Sequence, residues 1–135
     1  MNEIQSTQQT PTGIIKPGMV TALGIMTLVN GVINILTGLG LTSGVVIGTI
    51  GLGLLCSPVT LLPAVLGVFE ILYAVKIIAN PPQPVQFSQT IAVLEICCII
   101  FGNVISLVVG ILALVFYNDQ SVKEYFAAIN PPAAE

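Results

Sequence analysis

The sequence contains no histidine, no tryptophan and no arginine, and its only side-chain cations are Lys16, Lys76 and Lys123. Without histidine, the commonest general base and the commonest metal ligand are both missing. Three scattered lysines make no basic patch, which excludes nucleic acid as a partner. They also exclude electrostatic attachment to anionic lipid, which needs clusters of basic residues. Charged residues are 7% of the 135, against about 25% in soluble domains. A water-soluble fold would have almost nothing to cover its surface with.

What is present is apolar. Hydrophobic residues make up 55% of the chain, and the mean hydropathy is +1.02. That composition predicts an integral, multi-pass membrane protein of the plasma (inner) membrane. Cys56, Cys97 and Cys98 lie in apolar runs and read as small buried hydrophobes. No phosphate loop, no metal constellation and no nucleophile with a base occurs, so no enzyme and no cofactor is expected.

Residues 1–16 are polar and read as a disordered arm. They lack the features of a cleaved signal, so the first span would act as an anchor. Pro17 suits a first helical turn. The run after it carries Gly24, Thr27, Gly31, Asn34 and Gly38 at spacings of three and four, on one helix face. Small and polar residues on one face, with large apolar residues elsewhere, is the pattern of a helix that meets protein on one side and lipid on the others.

The next stretch, Gly44–Asn80, is too long for one upright span: it would rise about 55 Å against a hydrocarbon core of about 30 Å. Ser57-Pro58 and Pro63 interrupt it. The preferred division is a second span over Leu41–Cys56, a turn at Ser57–Thr60 and a third span over Leu61–Ala79, because proline breaks helices and Ser-Pro favours turns. The alternative is one long helix kinked at the prolines. Pro81, Pro82 and Pro84 mark a firm loop. Phe87–Tyr117 then forms the last span, about 45 Å long, with Phe87 at one end and Phe116-Tyr117 at the other as interfacial aromatics. In the tail, Val122, Tyr125, Phe126 and Ile129 share a face, which predicts a short amphipathic helix lying in the interface.

The expected architecture is therefore all-α: an integral membrane bundle of four transmembrane helices over 17–117, or of three if the second helix is long and kinked, with a tail at 118–135. Orientation is undecided by the lysines, which agree two against one in either count.

Glu70 and Glu95 are the residues with chemistry to offer. Each sits in an apolar run, where a carboxylate costs about 2.5–3.5 kcal/mol on insertion scales. Their helical faces are small or polar, so both point toward protein. Asn30, Asn34, Tyr73, Asn103 and Ser106 are candidate partners, and Asn34 and Asn103 join the two acids as a candidate ion or interhelical polar site. Gly44-x-x-x-Gly48 and Gly102-x-x-x-Ser106-x-x-x-Gly110 are further packing stripes. Two short echoes occur, Val68-Phe69-Glu70-Ile71 with Val93-Leu94-Glu95-Ile96, and Val32-Ile33-Asn34 plus Gly38 with Val104-Ile105-Ser106 plus Gly110.

A glycine-rich helix (Gly44, Gly48, Gly51, Gly53), a turn and a helix with one carboxylate (Glu70) loosely resembles the ion-carrying ring subunit of rotary ATPases, which would imply an ion site at Glu70. The irregular glycine spacing, the uncharged Ser57-Pro58-Val59 in place of a polar loop, and the long segment that follows set this chain apart, and the resemblance is not adopted. The expected function is a small structural or accessory membrane protein that packs against itself or a larger membrane complex. The alternative is a small transporter or channel component using Glu70 and Glu95. The lipid bilayer and a membrane-protein partner, or further copies of the chain, are the expected partners.

Overall fold

The computed structural model describes residues 13–131, and among them every regular element is helical. Most of the expected arm at 1–16, and the end of the tail from 132, lie outside the described residues. Helix α1 runs unbroken from Gly18 to Gly48, with Pro17 as its N-cap. A 3₁₀ turn over Leu52–Cys56 leads into α2 (Ser57–Thr60) and α3 (Leu62–Ile78). Then come α4 (Gln89–Cys97), a 3₁₀ turn over Cys98–Phe101, α5 (Val104–Asn118) and α6 (Gln120–Ile129).

Two helices, Gly18–Gly48 and Leu52–Ile78, are long and apolar enough to cross a membrane. A third is reached if α5 and α6, which meet at a bend of 79°, count as one broken span.

The division expected from the prolines is not the one adopted. No separate span forms over Leu41–Cys56, because Leu41–Gly48 simply prolongs α1. The expected turn at Ser57–Thr60 is α2 itself. Pro58 and Pro63 each occupy the first turn of their helix, where a missing N–H costs nothing. They segment a continuous helical path over Leu52–Ile78 and do not reverse it. The reversal falls instead at residues 49–51, where Ile50 (φ 52°) and Gly51 (φ 92°) are left-handed. The Gly51 amide donates to the Val46 carbonyl at 2.8 Å and the Ile50 amide to that of Ile47 at 3.2 Å. This is the double bond of a Schellman cap, with an isoleucine in the position that glycine normally takes. Ile50 is 96% exposed, so its side chain has no packing to set against the strained backbone.

The last apolar run is not one span either. Gly102 (φ 78°) ends the 3₁₀ turn, and the Asn103 side chain caps α5 by accepting from the Ser106 amide at 3.1 Å. A left-handed glycine followed by an asparagine N-cap stops one helix and starts the next. Phe87–Tyr117 is thus a helical hairpin. Its ends meet: the Phe87 and Tyr117 rings lie 5.3 Å apart.

The two hairpins pack by close helix approach. A Cβ added to Gly31 would lie 2.8 Å from the Gly67 carbonyl oxygen and 3.1 Å from Glu70 Cβ. One on Gly38 would lie 2.6 Å from the Ala64 amide, and one on Gly24 would lie 2.7 Å from Ile78. Those pairs run in opposite senses, so α1 and α3 are antiparallel. In the second hairpin Gly110 approaches Ala92 and Glu95. By contrast, Gly44 and Gly48 are exposed, with open space where a side chain would go, and Gly102 is a turn residue. Those three expected packing positions face open space among the described residues.

Helix α6 turns back across the end of the bundle. Val122, Tyr125, Phe126 and Ile129 are buried against Val20, Leu23, Tyr73 and Ile77. Its apolar face is spent on protein at the end of the bundle. Ser121 donates through its amide (2.8 Å) and hydroxyl (2.5 Å) to Asp119, the α6 N-cap, and holds that carboxyl below its ordinary range. At the same end, the Lys16 ammonium donates to the carbonyls of Ile77 (2.7 Å), Ile78 (3.0 Å) and Ala79 (2.9 Å), capping α3 where its dipole is negative. Lys76 lies in the last turn of α3 and Lys123 on α6, so all three lysines gather at this end of the bundle.

The glycine contacts give a direct contrast. Gly31→Ala is expected to lower stability by about 1–3 kcal/mol, because the carbonyl it would strike belongs to a helix backbone. Gly44→Ala, in open space, should be neutral or stabilising by up to about 1 kcal/mol through helix propensity. Thermal unfolding of the two variants in detergent checks both signs.

Candidate functional site

Helix α1 brings Asn30 and Asn34 to the seam between the hairpins. There α3 presents Glu70, α4 presents Glu95, and the start of α5 presents Asn103 and Ser106. All six side chains are buried. At about 1.5 Å per residue, the seam lies roughly 10 Å along α4 from Ser88 and about 20 Å along α1 from Pro17, well inside the bundle.

Asn30 Nδ2 donates toward Glu70 Oε1 (3.2 Å), Glu95 Oε1 (3.4 Å) and Ser106 Oγ (3.0 Å). Asn34 Nδ2 donates to Glu70 Oε1 (2.8 Å) and Oε2 (3.0 Å) and faces Ser106 Oγ at 3.2 Å. Asn103 Nδ2 donates to Asn34 Oδ1 at 2.6 Å. Each amide carries only two hydrogens, so Asn30 is shared among more acceptors than it can serve. Among the described residues two buried atoms have no partner, Asn30 Oδ1 and Glu95 Oε2. The amide oxygen is an acceptor; a carboxyl oxygen accepts when ionised and donates when protonated.

The four site residues expected from the sequence therefore do come together: Glu70, Glu95, Asn34 and Asn103. Ser106, expected both as a packing residue and as a partner of the acids, is a polar member of the cluster. Asn30, expected only as a possible partner of the acids, is its hub. The signal for it was present, since Asn30 is three residues after Thr27 and four before Asn34 on the same stripe. Tyr73 does not join the acids. Its hydroxyl pairs with that of Tyr117 at 2.9 Å and accepts from the Ser88 amide at 3.0 Å, tying both hairpins together nearer the lysine end.

The two carboxylate helices dock alike. Gly31 faces the Gly67 carbonyl, Glu70 Cβ and Ile71 Cγ1; Gly110 faces the Ala92 carbonyl, Glu95 Cβ and Ile96 Cγ1. The Val-x-Glu-Ile echo thus marks one packing unit used twice. The other echo has no such counterpart, because Gly38 meets Ala64 while Gly110 meets the Glu95 helix.

Compared with protein-family models, with curated proteins and with solved structures, the chain matches none.

Removing the second amide tests the network. Asn34→Leu takes two bonds from Glu70 and leaves the buried Asn103 amide without its acceptor. A loss of about 1–3 kcal/mol for the orphaned groups is expected, read as a lower thermal midpoint of the detergent-solubilised protein. An unchanged midpoint would show that the cluster contributes nothing to folding.

Proposed function

We propose that the chain is a small multi-pass membrane protein of the plasma (inner) membrane, with a structural or accessory role exercised through helix contacts with further copies of itself or with a larger membrane complex. The membrane reading rests on the inverted distribution of side chains. Polar Asn30, Asn34, Glu70 and Glu95 are fully buried, while Ile25, Val29, Leu36, Phe69, Leu72 and many other large apolar residues are exposed. That arrangement suits a lipid solvent and no other. In this reading α1 and the Leu52–Ile78 path are full spans. The α4/α5 hairpin, with arms of about 20 Å each, fills the same layer beside them from the lysine end. Lys16, Lys76 and Lys123 at that one end orient it toward the cytoplasm by the positive-inside rule.

The observation that carries the structural or accessory role is an unused stripe. Gly40, Gly44 and Gly48 repeat at four-residue spacing on α1, all exposed, with nothing within 4 Å of an added Cβ. The buried glycines of the same helix are consumed by α3. A second small-residue stripe facing lipid is the usual contact surface between membrane helices. Gly44→Leu and Gly48→Leu are expected to abolish cross-linked oligomer or co-purified partner while leaving the thermal midpoint of the single chain unchanged. Retention of the assembled species in both variants would refute the reading.

A second reading, a small transporter or channel component, is favoured by the convergence of Glu70 and Glu95 on one amide. Intramembrane acids of that kind mark ion paths. It predicts that Glu70→Gln or Glu95→Gln removes cation flux from proteoliposomes with the fold intact; equal flux in wild type and both variants counts against it.

A further inference from the structure

We infer that the trench between α3 and α4 holds one anionic phospholipid of the cytoplasmic leaflet, with its headgroup at Lys76 and an acyl chain lying along the two helices. The inference rests on the membrane reading above and uses nothing of the polar seam.

The trench exists because no close helix approach shuts it. Gly24, Gly31, Gly38 and Gly67 are spent between α1 and α3, and Gly110 between α5 and α4. None of these contacts joins α3 to α4. Those two helices are tied at the lysine end, where the Ser88 amide donates to the Tyr73 hydroxyl at 3.0 Å. Two cavities lie along the pair, of about 450 Å³ and about 360 Å³. Leu66 and Leu94 line both, so the two are one continuous trench. Each has the volume of a small-ligand site, about 300–1,000 Å³. Leu62, Phe69, Leu72 and Leu94 stand exposed along its rims, so it opens sideways into lipid.

The lining changes along its length as a lipid does. The end nearer the lysines carries Lys76, Ser88 and Thr90 beside apolar residues. The far end is Leu62, Pro63, Ile100, Phe101 and the thiols of Cys97 and Cys98, with no charge and no hydroxyl. Among the described residues, Lys76 is the one cation lining the trench, and no acid lines it. The mouth therefore complements a negative headgroup. One lysine cannot hold a chain to a membrane surface. Here the spans do that, and Lys76 only selects the headgroup.

Length chooses between a lipid chain and a helix. Leu62 to Lys76 on α3 rises about 20 Å, and Ser88 to Phe101 on the other wall about the same. One leaflet contributes about 15 Å of hydrocarbon. The trench thus matches one leaflet plus the headgroup linkage. It stops where its α4 wall stops, at the turn into α5. A partner helix crossing the whole bilayer would run on past that point with only one wall beside it.

The purified full chain is first mixed with phosphatidylcholine vesicles. Failure to enter them would sink the membrane reading and the inference together. The chain in detergent is then titrated with palmitoyl-oleoyl phosphatidylglycerol or phosphatidylcholine and weighed by native mass spectrometry. One lipid per chain should bind ahead of all others, with phosphatidylglycerol preferred about fivefold, the effect of one lysine near a headgroup. Lys76→Gln should lose the preference and keep one bound lipid. Lys123→Gln, on α6 and outside the trench, should keep the preference. Leu94→Trp fills the trench from an exposed position and should lose the first lipid of either kind, with its helical circular dichroism unchanged. Equal binding of the two lipids by the wild-type chain would overturn the inference and leave the membrane reading standing. So would an undiminished preference in Lys76→Gln, an equal loss in Lys123→Gln, or a retained first lipid in a folded Leu94→Trp. A chain that dimerises and takes up no lipid would overturn it as well.

Discussion

The fold depends on satisfying polar groups at a place where water cannot do so. Asn30 and Asn34 enter from α1, Glu70 from α3, and Glu95, Asn103 and Ser106 from the second hairpin. In an apolar surrounding a lone buried amide or carboxyl is costly, and the cost falls only when the groups meet. Neither hairpin can satisfy its own set. Glu70 is served by Asn30 and Asn34 of its own hairpin, but Ser106 and Glu95 need α1, and Asn103 needs Asn34. The seam therefore fixes how the two hairpins sit against each other, in a way that apolar packing alone would leave loose.

Glycine makes that seam reachable. Gly31 and Gly110 let two helix pairs approach until backbone touches side-chain stem, and each close approach sets a glutamate beside it. The same unit thus serves twice, once in each hairpin. Away from the seam, the aromatic group of Phe87, Tyr117 and Phe126 closes the lysine end, with α6 folded over it. At the opposite end, α1 and the Leu52–Ile78 path are joined by the Thr49-Ile50-Gly51 turn, with Ile47, Ile50, Leu52 and Leu55 exposed around it. Buried polar groups thus gather at the seam, the lysines at one end, and large apolar side chains cover the outer faces of the helices.

Much of this was legible in residue order, and the errors were local. The α1 stripe of Gly24, Thr27, Gly31, Asn34 and Gly38 is buried as its spacing implied. Proline marked the loop at Pro81, Pro82 and Pro84 correctly, and was the wrong guide to the turns before and after it. Pro58 and Pro63 sit in first turns, where the ring does no harm, and the chain reverses instead at Ile50-Gly51 and at Gly102-Asn103. A Gly-Asn pair is a stop followed by a start, a C-cap glycine and an N-cap asparagine. Inside a long hydrophobic run it is easily taken for a packing glycine beside a polar decoration. Missing it merged two helices into one, and put Phe87 and Tyr117 at opposite ends when they are in contact.

The sequence by itself determined the chemical character of the molecule: apolar outside, a few polar residues held inward, no basic surface, and two acids that had to face protein. Those conclusions follow from composition and from the period of one helix, which need no knowledge of the partner face. Which helix each face meets, where the hairpins turn, and that Asn30 joins Glu70 to Glu95 were decided only by the tertiary structure. A stripe records that a contact exists and not with what, because small residues fit any neighbour. Only the closing of two hairpins on one seam brings four separate segments to the same few ångströms.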